Sequence, residues 1–101
     1  MPTVVHLISD AEEDLFEIYK YVAHYDSKEN ADKLLTKLEE KINSLNKLPE
    51  RGHIPPELDY IGIKTYREIH FKPYRIIYHI KKNNVFVHCV LDGRRDMMTL
   101  L

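Results

Sequence analysis

Three histidines recur in the C-terminal part of the chain, His70, His79 and His88, each inside a run rich in β-branched and aromatic residues. An imidazole titrates near neutrality, so each is eligible as a general acid or base. Cations are interleaved with them: Arg67, Lys72 and Arg75 lie in and between the same runs, and Arg94 and Arg95 follow the last one. Groups so placed can hold a phosphate or pair with carboxylates. Each also has an ordinary structural use. His79 shares a strand face with Arg75 and Lys81 and suits an exposed position, while His88 alternates against Val87 and Cys89 as a sheet residue. Cys89 is the single cysteine, and the chain has no histidine pair at helical ligand spacing. Internal disulfides are therefore impossible, and neither a metal site nor a cofactor is expected.

These residues must be positioned by regular elements, and the hydrophobic periodicity supplies them. Thr3 to Ile8 is β-branched and short, which predicts a strand. Ser9 and Glu12 stand at capping-box spacing, and Ala11, Leu15, Ile18 and Val22 then follow at helical steps to about His24. Ser27 is placed to cap a second helix carrying Ala31, Leu34, Leu35, Leu38, Ile42, Leu45 and Leu48, ended by Pro49 and Gly52. The short break between them implies an antiparallel helical hairpin, packed through Leu15, Ile18, Val22, Leu34, Leu38, Ile42 and Leu45. Pro49 to Tyr60 reads as a loop. Three strand-like runs follow, Lys64 to Phe71, Tyr74 to Lys81 and Val85 to Asp92. Their joints, Lys72-Pro73 and Lys82-Asn83-Asn84, suit hairpins, with asparagine tolerating positive φ. Within the second run, Tyr74, Ile76, Tyr78 and Ile80 face one way and Arg75, Ile77, His79 and Lys81 the other.

The expected architecture is thus α+β. An N-terminal strand and an antiparallel helical hairpin pack on a small, mostly antiparallel sheet with a C-terminal three-stranded meander, as one domain over residues 1–101. The place of the first strand in the sheet does not follow from pattern. With 101 residues, 3 Gly and 5 Pro, the composition excludes collagenous and low-complexity classes. The longest apolar runs are interrupted by histidine, no secretory signal is visible, and the expected compartment is the cytoplasm. The formal net charge of -1 conceals a division. Residues 1–63 hold 7 Lys and Arg against 13 Asp and Glu, whereas residues 64–101 hold 8 against 3. The basic half is the natural docking surface for an anionic partner, unless the division simply reflects Glu-rich helices and Glu-poor strands.

The order of elements coincides with several local motifs. They are Leu48-Pro49-Glu50-Arg51-Gly52 after the second helix, Tyr66-Arg67-Glu68-Ile69, Pro73-Tyr74-Arg75-Ile76-Ile77-Tyr78, and Val90-Leu91-Asp92-Gly93-Arg94-Arg95-Asp96. Together they make the chain resemble the RelE/ParE superfamily of type II toxin–antitoxin toxins over nearly its whole length. The Gly93-Arg94-Arg95-Asp96 ending is more similar to the ParE branch. Asp92 stands where members usually carry His.

The ParE resemblance implies a toxin that poisons DNA gyrase by protein contact and is neutralised by a cognate antitoxin, in a toxin–antitoxin hetero-oligomer. An acidic antitoxin segment could be bound by Arg67, Lys72, Arg75, Arg94 and Arg95, although Arg94 or Arg95 could instead pair with Asp92 or Asp96 in the turn. The RelE branch implies the alternative, a ribosome-dependent mRNA endoribonuclease. His79 and His88 would then be candidates for acid and base, with His70 also eligible, and Arg67 and Arg75 for holding the phosphate, helped by Lys72 and Arg94. A near-neutral pI of 6.6 argues against a protein that grips ribosomal RNA. A binding module without toxicity is the third possibility the scaffold permits.

Overall fold

The computed structural model describes residues 3–93. Strand β1 (Val4–Leu7) leads into helix α1 (Ser9–Tyr25), which turns back through α2 (Lys28–Asn43). The strands β2 (Tyr66–Phe71), β3 (Tyr74–Lys81) and β4 (Asn84–Asp92) form the meander. The sheet order is β1-β4-β3-β2, with β1 parallel to β4 and the other pairs antiparallel. The first strand therefore lies at the far edge of the meander, beside its last strand.

The helical hairpin covers one face of the sheet. Ala11, Leu15, Leu38, Ile42 and Leu45 from the helical layer meet Ile69, Ile76, Tyr78, Val85, Val87 and Val90 in one core. Ile18 and Leu34 pack against this core from half-buried positions, and Val22 is also half-buried. Asp14 ties the layers together, its Oδ2 accepting the Val90 N–H at 2.9 Å.

Four local expectations are corrected. Ser9 does not cap α1: Ile8 holds the cap position, because its N–H donates to Val87 and fixes the chain in the sheet until the helix begins. Leu48 does not extend the stripe of α2. That helix ends at Asn43, a 3-10 turn (Ser44–Asn46) carries Leu45 into the core, and Leu48 takes a left-handed φ of 50° that leaves it exposed. The stretch from Pro49 to Tyr60 is more than a loop, since it contains a 3-10 turn (Pro49–Arg51) and a short helix α3 (Pro56–Tyr60). In the β3–β4 hairpin the positive φ of 57° belongs to Lys82, not to an asparagine. The cap of α2 forms as expected, the Ser27 hydroxyl accepting from Asn30 N–H at 3.0 Å.

Candidate functional site

The sheet face opposite the helices carries the polar chemistry. Tyr66, Glu68 and His70 project from alternate positions of β2, and Arg75, Ile77 and His79 from β3. Part of this face is closed by α3, whose Leu58 packs with Ile77. Beside it lies a cleft of about 620 Å³ lined by His53, Glu57, Glu68, His70, Lys72 and Arg75 among others.

Arg75 is the centre of that cleft. Its Nε donates to Glu68 Oε1 at 2.8 Å and its Nη2 to Oε2 at 2.7 Å. On the other edge of the guanidinium, Nη1 and Nη2 donate to the two oxygens of Glu57 at 2.6 and 2.9 Å. Two bidentate carboxylate pairs on one guanidinium hold Arg75 rigidly and leave its charge more than matched. The pairs raise its pKa further, with Glu68 the larger influence. Burial alone would raise the pKa of Glu68, but hydrogen bonds from Arg75 and His70 prevail and hold it below the usual range. The Arg75 bonds lower Glu57 likewise. His70 Nε2 lies 2.5 Å from Glu68 Oε1.

Arg67 points elsewhere. Its Nη1 donates to the carbonyls of Glu50 and Gly52 at 3.1 and 2.8 Å, so it anchors the segment before His53. Tyr78 holds the same segment from within the core, donating to Pro49 O at 2.6 Å and accepting from Gly52 N–H at 3.1 Å. Gly52 is required there, because a Cβ would collide with the Tyr78 hydroxyl and the Glu68 carbonyl. Lys72 is exposed at the cleft rim. Arg94 and Arg95 lie outside the described residues.

His79 and His88 are brought together by an irregularity in the sheet. Ile77 pairs with Cys89 but Tyr78 pairs with Val87, which makes His88 an extra residue in β4. The bulge puts both His88 and Cys89 off the core-facing side, and His88 Nε2 sits 2.6 Å from His79 Nδ1. Burial first, and His79 second, push the His88 pKa down, which favours its neutral form. An in-register row of rings crosses all four strands here: Tyr66, His79, Phe86 and His6 are directly opposed in turn. The ring centroids are 6.1, 5.1 and 4.9 Å apart along it. Burial raises the Cys89 thiol to about 11, which makes it unreactive.

Sequence reasoning missed His53, Glu57, Tyr66, Glu68, Phe86 and His6. For Tyr66, Glu68 and His70 the strand period of two was a usable signal. His53 and Glu57 come from the irregular segment, and their approach to β2 and β3 has no local signature.

This fold of β-strand, helical hairpin and meander is shared with solved toxin–antitoxin structures. Its solved neighbours include the chromosomal ParDE toxin–antitoxin system from P. aeruginosa, with a TM-score of 0.74 at 17% identity over 87% of this chain and 92% of that one. The toxin–antitoxin complex RelBE2 from Mycobacterium tuberculosis is similar with a TM-score of 0.66 at 18% identity, covering 89% and 96% of the two chains. A conserved hypothetical protein from Helicobacter pylori aligns with a TM-score of 0.53 at 19% identity, over 94% and 98%. No curated protein sequence matches the chain. The family model of the ParE toxin of the type II toxin–antitoxin system parDE matches residues 5–97. The chain belongs to that family, within the wider ParE/RelE superfamily.

Proposed function

We propose that this toxin poisons DNA gyrase through protein contact and is held inactive by a cognate antitoxin in a cytoplasmic hetero-oligomer. The observation that carries the reading is the state of Arg67 and Arg75, the two arginines among the described residues that are eligible to hold a scissile phosphate. Arg75 is engaged on both edges by Glu57 and Glu68, and Arg67 is engaged by backbone carbonyls. An endoribonuclease needs such cations directed at the phosphate, whereas a toxin acting by protein contact does not. The near-neutral pI and the ParE family match favour the same reading. The ParDE and RelBE2 neighbours are toxin–antitoxin assemblies, which supports an antitoxin partner. With Arg67 and Arg75 engaged internally, Lys72 together with Arg94 and Arg95 is the set we assign to an acidic antitoxin segment.

One observation favours the RelE-like reading. The row of Tyr66, His79, Phe86 and His6, with His88 beside it, offers rings on which bases can stack and an imidazole pair that can exchange a proton. Purified toxin separates the two. Gyrase poisoning predicts inhibited supercoiling or trapped cleaved DNA with translated mRNA intact. Ribosome-dependent mRNA cleavage with unaffected gyrase, slowed about 100-fold or more by His79→Ala or His88→Ala, would replace the first reading by the second.

A further inference from the structure

We propose that His53, Glu68 and His70 form a binding site for one borderline divalent transition ion, zinc first among them. The donors come from two adjacent backbones. His53 and Glu68 are directly opposed, exchanging backbone hydrogen bonds of 2.7 and 3.2 Å, and His70 lies two residues beyond Glu68 on the same face. The nearest ligand atoms of the three residues all lie within 4.8 Å of one another. His70 Nε2 is 2.5 Å from Glu68 Oε1, and His53 Nε2 is 3.7 Å from Oε2. Donors around a tetrahedral zinc stand about 3.3 Å apart, given metal–ligand distances near 2.0–2.1 Å. Small rotations of two solvent-exposed imidazoles therefore reach that geometry.

The carboxylate is built to serve such an ion. Glu68 is 1% exposed, and Arg75 donates one hydrogen bond to each of its oxygens. Each oxygen keeps a second lone pair, met by His70 on one and faced by His53 on the other. Arg75 is held in turn by Glu57, so the ligand is oriented by an outer shell of the kind that tunes metal sites. Charge points the same way. One guanidinium against two carboxylates leaves a residual negative charge beside two imidazoles. Among the described residues Lys72, at the rim, is the cation that opposes it beside Arg75. Two imidazole donors select zinc, cobalt, nickel or copper over magnesium or calcium. The open side of the cleft leaves a coordination position for water. The ion would fasten the segment anchored by Arg67 and Tyr78 to the β2 edge, whichever target the toxin has.

The test is calorimetric titration of the tag-free full chain with zinc near neutral pH, followed by thermal melting, with cobalt as a spectroscopic probe. One ion should bind per chain, raise the melting temperature, and with cobalt give the visible absorption of a low-coordinate site. His53→Ala and His70→Ala should each weaken binding by about tenfold or more, and the double variant should lose both the thermal shift and the cobalt spectrum. Both imidazoles are exposed, and the thermal shift is read against each variant's own metal-free melting temperature. His79→Ala and His88→Ala should bind as the parent does. Absence of saturable binding in the parent, binding undiminished in the double variant, equal binding of magnesium, or loss of binding in the His88 variant would each overturn the proposal.

Discussion

On the helix-facing side of the sheet, Ile69, Ile76, Tyr78, Val85, Val87 and Val90 meet Leu15, Leu38 and Ile42 in continuous apolar packing. On the other side the same strands present Glu68, His70, Arg75, His79 and His88, with the five-residue α3 over part of them. Non-directional burial holds the first side together, and side chains of many shapes can satisfy it. The second depends on directed contacts: four guanidinium–carboxylate bonds, an imidazole pair and a row of edge-on and stacked rings. A hydrophobic layer tolerates loss of one contact in proportion to the volume removed, whereas a buried ionic cluster fails by leaving an unmatched charge.

The largest effect is therefore expected on the polar side. Arg75→Met leaves the buried Glu68 carboxylate and its neighbour Glu57 without their cation, and should cost about 3–5 kcal/mol in urea unfolding. The pH dependence sharpens this expectation. Both glutamates have folded-state values below the ordinary 4.5. Their stabilisation is complete above that value and is lost as pH falls through the lowered folded values. Parent stability should thus decline in acid, and the Arg75→Met variant should decline less. An acid limb unchanged in the variant would show that the cluster does not govern it.

Leu38→Ala breaks the apolar side. Leu38 is fully buried between α1 and the sheet, and its truncation should lower stability by about 2–5 kcal/mol with no change in the acid limb. A variant melting within error of the parent would mean that the two sides do not differ in the way described.

The two sides were also unequally legible. The aliphatic side follows periodicity, so α2 as far as Ile42, β3 and nearly all of the meander lie where their residue patterns put them. Leu48 fails because α2 ends at Asn43, the chain is extended at Lys47 after the 3-10 turn, and the left-handed Leu48 turns outward. The position of β1 is set by hydrogen bonds to β4 from the far end of the chain. The polar side is written in pairings between distant segments. His79 and His88 were recognisable as residue types, but the bulge that joins them has no glycine or proline to announce it. Arg75 stands out in the sequence by its charge, and only the fold reveals that Glu57 and Glu68 already hold it.

The smallest expected effect concerns the hairpin that supports the apolar side, where two serines looked equivalent in sequence. The Ser27 hydroxyl accepts from Asn30 N–H, satisfying a donor that the first turn of α2 leaves open. Ser9 stands one residue inside α1, whose cap position is Ile8 with no side-chain cap bond. Ser27→Ala should therefore cost about 1 kcal/mol, the usual scale of a lost cap, while Ser9→Ala should cost less or nothing because alanine is the better helix former. Glu12 cannot rescue Ser9, since its own N–H already closes the first helical turn onto the Ile8 carbonyl at 3.1 Å. Chemical denaturation of the two variants resolves a difference of this size when the slopes match. Equal losses at both positions would place a working cap at Ser9 and make the start of α1 independent of the sheet, whereas a loss confined to Ser27 ties that start to the Ile8–Val87 bond.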